Sequence, residues 1–345
     1  MIRALGILLL ILSLLTGCGS NNTSSSNGSG SGSGSGGTGG GGTGGGGTGG
    51  GGTGGSGGSG GSGDSGGGGG ASIQHVIVVV FENQDYSSVI GSSSMPYFNN
   101  LANSAALATQ FYADVHPSIG NYLIMTAGQD PTKGTSDPDN WSGTITGDTI
   151  ASVLNAGGKT WKVYAQSLPS TGYLGGDQYP YVKHHNPFAY FDSVRKSQSL
   201  AANIVDLSQL SADVNAGTLP NYSFVVPDDR HNGHDCPSGG SGCPLSDRLS
   251  AIDNFLKTNF DPLLNNASLM ANTVLIVTFD ESATDNTNGG GHIAVILAGG
   301  PIKTQYQSTA TYQIESLLRF SLNSLGQTKY PGLADSAAPM TEFLK

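Results

Sequence analysis

Apolar positions along residues 73–345 fall in short unbroken runs separated by amphipathic stretches. His75–Phe81 (HVIVVVF) is apolar almost throughout and rich in valine. Such a run suits a strand buried on both faces, as in a parallel sheet covered by helices. The same pattern predicts strands at Thr160–Ala165, Tyr222–Val226, Thr273–Phe279 (TVLIVTF) and His292–Ala298 (HIAVILA). Helices are predicted over Pro96–Ala106, with proline in the first turn, Ser118–Ala127, and Gly147–Asn155, closed by Gly157 and Gly158. Two more are predicted over Leu249–Asn259 and Thr311–Leu325. Strands alternating with helices predict an α/β fold, a three-layer sandwich with a largely parallel central sheet.

Ligands bind such sheets beyond the carboxyl ends of the strands, and the polar residues cluster there. Phe81 is followed by Glu82 and Asn83, Val226-Pro227 by Asp228 and Asp229, and Phe279 by Asp280 and Glu281. Carboxylates on adjacent strand ends repel one another unless a cation lies between them. A metal site is therefore expected. Oxygen ligands favour calcium, magnesium or manganese, and nearby histidines also admit zinc or iron.

The N-terminal segment reads as a targeting signal. Arg3 precedes an apolar run, Leu5–Leu15, too short for a bilayer span of about 20 residues. Leu15-Thr16-Gly17-Cys18 looks like a bacterial lipoprotein cleavage box, which implies removal of residues 1–17 and acylation of Cys18. Residues 18–72 then form a Gly/Ser/Thr-rich tether that cannot bury enough apolar surface to order itself. Its r.m.s. reach is roughly 40 Å. The expected product is exported and lipid-anchored to a bacterial membrane, at the cell surface or in the periplasm, with a catalytic domain over 73–345. A net charge of −10 argues against nucleic acid as a partner. Of three cysteines, Cys236 and Cys243 remain after Cys18, close together in a Gly/Ser/Pro loop. Export favours a disulfide between them; a zinc pair is the alternative, although no second Cys pair exists.

Eight ordered motifs carry a resemblance to a known family. They are ENQDYSSVIG (Glu82–Gly91), MPYFNNLA (Met95–Ala102), HPSIGNYLIMTAGQ (His116–Gln129), KHHNPFAYF (Lys183–Phe191), PDDRHNGHD (Pro227–Asp235), VTFDES (Val277–Ser282), GGHIAVILAG (Gly290–Gly299) and TYQIESLLRFSLNSLG (Thr311–Gly326). Together they resemble the acid phosphatase/phospholipase C phosphoesterase family of the alkaline phosphatase superfamily, over most of 73–345. The resemblance implies an alkaline phosphatase-like fold and a divalent metal. It implies Ser118 as nucleophile and Asn121 as a holder of a phosphate oxygen. Glu82, Asn83, Asp280 and Glu281 match metal-binding positions. His292 matches a late histidine near phosphate or metal, and His184 and His185 a histidine region lining the pocket. Asp229 and His234 match polar positions of an Asp…His-Asp motif. The sequence departs from the pattern in two places. Asp280-Glu281-Ser282 stands where many phospholipases have Asp-Glu-His-Gly-Gly, and Asn232-Gly233 where Asp-Met is commoner. Both departures bear on a second metal position and lean toward the phosphatase branch.

A serine hydroxyl needs a base, a metal or both to attack phosphorus. At a helix N-terminus Ser118 also gains the dipole and free N–H groups, which suit phosphate oxygens. The expected course is in-line attack, a phosphoserine intermediate and hydrolysis by water, with His231, His234 or His292 as acid for the leaving group. His116 would orient the turn or touch substrate, and Lys183 would reach a phosphate oxygen. The expected activity is hydrolysis of small phosphate monoesters. A phospholipase C or other phosphodiesterase is the alternative enzyme, and a non-catalytic surface binding module the alternative of another class.

Overall fold

The computed structural model describes residues 72–345. The expected signal segment, Cys18 and all of the tether but its last residue lie outside that range. Nine strands form one sheet: β1 His75–Phe81, β2 Ala106–Ala113, β3 Trp161–Ala165, β4 Ile204–Asp206, β5 Tyr222–Val226, β6 Thr273–Phe279, β7 Gly291–Ala298, β8 Tyr306–Ser308 and β9 Tyr312–Gln313. The order is β4-β3-β5-β1-β6-β7-β2-β8, with β9 also paired to β2. The strands from β4 to β6 run parallel, and β7 runs antiparallel to both β6 and β2. The largely parallel sheet is thus as the valine-rich runs predict, and every residue of β6 is buried.

The helices are α1 Tyr86–Val89, α2 Pro96–Ser104, α3 Ser118–Ala127, α4 Ile150–Ala156, α5 Asp192–Arg195, α6 Gln198–Ala201, α7 Ser208–Ala216, α8 Leu245–Leu264, α9 Ala267–Met270 and α10 Ile314–Ser324. They cover both faces of the sheet. Phe81 meets Phe255 of α8, and Phe279 meets Phe98 of α2. Phe224 lies level with Val78 and therefore on the face opposite Phe81, where it packs on Tyr122 of α3. Three layers result. No helix among the described residues is long and apolar enough to cross a membrane.

Several boundaries differ from those expected. The helix expected to run to Ala106 stops at Ser104, and ALATQFYA forms β2 between β7 and β8. Its alanines and polar residues lack the density of branched side chains that marks the other central strands. The helix expected to end at Asn259 continues through Pro262 to Leu264. Residues 312–313 pair with β2 before α10 begins. Cys236 and Cys243 are joined by a disulfide, with Cα atoms 5.7 Å apart.

Candidate active site

Register sets the height of the site. Val79 lies opposite Val225 of β5 and Val277 of β6, so three neighbouring strands end together. Beyond β1, Asn83 turns into a left-handed conformation, φ 43°, which asparagine tolerates better than most residues. Its N–H donates to Asp280 Oδ1 at 3.0 Å, tying the end of β1 to that of β6. Asp85 adds a second tie: its carboxylate accepts from Ser282 Oγ, and from Thr284 N at 3.0 Å. Ser282 occupies the position where many phospholipases carry histidine, and its hydroxyl is spent on this brace.

Ser118 arrives from the other side of the sheet's end. Segment 114–117 leaves β2 and delivers Ser118 as the first residue of α3, with no side chain capping the helix. The first N–H groups of a helix have no intrahelical acceptors, so those of Ser118 and Ile119 are suited to an anion. Asn121 holds the segment: its Oδ1 accepts from Asp114 N at 3.0 Å and Val115 N at 3.2 Å, and its Nδ2 donates to Val115 O at 2.8 Å. Gly289 and Gly290 let the loop before β7 lie against the same segment. A Cβ at Gly289 would come within 1.9 Å of Asp114 O, and one at Gly290 within 2.6 Å of Val115 O.

Ser118 Oγ ends 3.0 Å from Glu82 Oε2, 3.3 Å from Asn83 Oδ1 and 3.3 Å from Glu281 Oε1. One hydroxyl proton cannot serve three acceptors. Asp280 Oδ2 is buried beside them with no hydrogen-bond partner among the described residues. Burial, opposed by the Tyr122 hydrogen bond and reinforced by Glu281, pushes Glu82 up to about 8. Burial and the charge of Asp280 push Glu281 up to about 9. Burial and the charge of Glu82 push Asp280 well above the usual carboxylate range. An orphaned acceptor, a surplus of oxygens around one hydroxyl and three buried carboxyls form a donor set suited to a hard cation.

The third strand end joins this cluster indirectly. Buried His185 sits between Glu82 Oε1, 3.2 Å from its Nε2, and Asp229 Oδ1, 3.5 Å from its Nδ1. Burial, and then the charges of His184 and His234, hold His185 well below the usual histidine range. Tyr122 donates to the same Glu82 oxygen at 2.6 Å and stacks on His185 at 5.5 Å. Sequence reasoning missed Tyr122; its spacing, one turn after Ser118 on α3, was the available signal. His116 Nδ1 lies 2.8 Å from Glu281 Oε2.

Other candidates lie apart from the hydroxyl. His292, expected near phosphate or metal, is stacked on Tyr86 at 4.1 Å and Tyr112 at 5.0 Å, with Nε2 2.9 Å from Thr109 O. Its ring is committed to packing the end of β7. His231, expected among the leaving-group acids, pairs with Asp228 Oδ1 at 2.6 Å at the protein surface. Asn121, expected on a phosphate oxygen, spends its amide on the backbone of 114–115, and only its 3.5 Å contact with Glu281 Oε2 faces the cluster. Lys183 Nζ lies over the Tyr190 ring, 4.1 Å from its centroid. His184 stands edge-on to His185 at 4.3 Å. Half-exposed His234 pairs with Asp235 at 3.0 Å, and Asp229, His234 and Asp235 could together ligate an ion. That group lacks the orphaned acceptor found at Asp280.

Comparison with known proteins shows the family and the fold. The profile of the Phosphoesterase family matches residues 92–288, a span that contains Ser118, Asp280 and Glu281 but begins after Glu82 and Asn83. A phosphatidylinositol-3-phosphatase of Mycobacterium tuberculosis is 30% identical over 279 residues, 78% of this chain and 82% of the relative. A probable acid phosphatase of Kluyveromyces lactis is 30% identical over 70% of this chain; the match spans 54% of that protein, about half its length. Among solved structures, an alkaline phosphatase superfamily protein from Vibrio parahaemolyticus superposes with a TM-score of 0.56 at 18% identity, over 79% of this chain and 71% of that one. This likeness concerns the fold alone. A family profile covering more than half of the chain, together with these relatives, shows that the chain belongs to the Phosphoesterase family.

Proposed function

We propose that this protein hydrolyses phosphate monoesters through Ser118, with a divalent cation held by Glu82, Asn83, Asp280 and Glu281. The observation that carries the reading is the Ser118 hydroxyl ringed by Glu82, Asn83 and Glu281 beside the orphaned Asp280 oxygen. The cation, when bound, supplies charge that favours the serine alkoxide and polarises the phosphoryl group. The free N–H groups at the start of α3 orient the non-bridging oxygens. Ser118 Oγ forms the new bond to phosphorus as the bond to the alcohol oxygen breaks. Glu82 Oε2 is the nearest acceptor for the hydroxyl proton. His234, grouped with Asp235 and with Asp229, the partner of His185, is the acid for the departing alcohol. Water then attacks the phosphoserine, releasing phosphate and restoring the hydroxyl.

Ser282, bonded to Asp85 where phospholipases carry histidine, favours the monoesterase over the phosphodiesterase reading. A chromogenic monoester, a phosphodiester and phosphatidylcholine, each assayed with and without chelator, test the assignment. Monoester turnover lost on chelation and in Ser118→Ala is expected. Preferred diester turnover would establish the phosphodiesterase, and no turnover with metals restored would leave a binding module.

Export and lipidation at Cys18 complete the proposal. The Cys236–Cys243 disulfide supports an oxidising location. Incorporation of labelled fatty acid into the wild type but not into Cys18→Ser is the expected result.

A further inference from the structure

Beside the turn that carries His184 and His185 lies a small pocket that the chemistry above does not use. Its volume is about 150 Å³, and its walls include Asp139, Trp141, Asp177, Lys183 and Tyr190. This is well below the roughly 300–1,000 Å³ of sites for drug-sized ligands, so it holds one small ring or head group. Through Lys183 the pocket borders the turn that carries His184 and His185. Lys183 precedes His184, which stands edge-on to the His185 that contacts Glu82.

Two walls are chemically incomplete. Asp139 Oδ1 is buried without a hydrogen-bond partner among the described residues. Lys183 Nζ lies over the Tyr190 ring, and among the described residues it has neither a carboxylate nor a hydrogen-bond partner. Burial, and then the charge of Arg195, hold this ammonium below the usual lysine range. Asp177 is engaged through Oδ1 by the Lys183 backbone N–H at 2.8 Å, which fixes it at the rim. Trp141 stacks on Tyr190 at 5.7 Å and gives the pocket a flat, rigid side.

A ligand group that completes both walls must donate to a carboxylate and accept from an ammonium. A hydroxyl does both. A cationic head group would meet the Lys183 ammonium, and a second phosphate would meet Asp139 and Asp177. A lipid chain would leave the buried Asp139 Oδ1 unpaired, at the usual penalty for a buried polar group. We propose that this pocket seats the alcohol half of the substrate, and that the alcohol is a small neutral polyol such as a sugar or cyclitol ring. Asp139 and Lys183 are then specificity-determining residues, and Lys183 reads the leaving alcohol in place of the phosphate.

The inference rests on the phosphomonoesterase reading, and the test separates the two. The full chain and the variants Asp139→Asn and Lys183→Met are assayed on glucose 6-phosphate, p-nitrophenyl phosphate and phosphocholine. Turnover of the aryl ester by the wild type reports the phosphomonoesterase itself, and its absence would overturn both readings. The pocket is reported by the ratio of kcat/KM for the sugar phosphate to that for the aryl ester in the same preparation, which cancels loss of folded protein. The wild type is expected to favour the sugar phosphate over phosphocholine. Each variant is expected to lower the sugar-to-aryl ratio about tenfold or more, as for loss of a hydrogen bond to a charged group. An unchanged ratio in both variants, or a wild-type preference for phosphocholine, would overturn the assignment.

Discussion

Replacing Tyr122 by phenylalanine tests how the proposed cation site is held. The Tyr122 hydroxyl is buried and donates to Glu82 Oε1 at 2.6 Å, while the other oxygen of Glu82 faces Ser118. Phenylalanine keeps the ring that stacks on His185 and removes one oxygen, so packing is almost conserved. A hydrogen bond to a charged group contributes about 1.5–3 kcal/mol, and 1.4 kcal/mol is a factor of ten in an equilibrium constant. If the loss falls on the ionised Glu82 that we propose binds the cation, half-saturation should move up by roughly 10- to 150-fold, in line with the 10–100-fold typical of residues that orient ligands. Titration of activity with manganese and, separately, calcium measures this midpoint. Melting of the metal-free protein reports any structural damage, which should stay within a few degrees. A wild-type midpoint in both titrations would refute the argument. So would a collapse of metal-free stability, since Tyr122 would then act through packing alone.

Two further substitutions address the periphery. Burial, and then the charge of Glu315 on α10, push Asp114 from 3.8 up to about 7; His116, Asp130 and Lys133 line the adjoining cleft. A proton held more tightly in the folded state favours folding fully below about pH 4, and that contribution is lost as pH rises to about 7. Asp114→Asn should therefore flatten the fall in melting temperature across that window, at ~2–4 °C per kcal/mol for a domain of this size; an unchanged pH profile would remove Asp114 as its source. His292→Gln should lower the melting temperature by several degrees, because it breaks two ring stacks and the bond to Thr109 O. Its kcat/KM should stay within about tenfold of wild type, and a loss beyond about a thousandfold at unchanged stability would return His292 to the leaving-group step.

The sequence was most legible where burial was most complete. Five central strands announced themselves as apolar runs because both of their faces are covered. The acidic residues that follow β1 and β6 do converge, because those strands pair in register from His75/Thr273 to Phe81/Phe279. β2 stayed hidden because its alanines and polar residues follow α2 with no break in the pattern. The histidines were harder to place, since ring direction depends on packing across strands. His292 sits on a predicted strand at a resembling position, yet aromatic neighbours from α1 and β2 claim its ring. Tyr122 lay within a motif but carried no role there, and Asp139 lay in none; their places follow from one hydrogen bond and one missing hydrogen bond.

The central claim is that Ser118 becomes phosphorylated during turnover. Rapid acid quench of the metal-loaded enzyme with a phosphate monoester, followed by peptide mass spectrometry, addresses it directly. Phosphate should be found on the peptide segment that begins α3, at Ser118, within the first turnover. It should be absent from Ser118→Ala, which should also lose at least about a thousandfold in kcat. Steady turnover without phosphoserine, together with an active Ser118→Ala, would contradict the account.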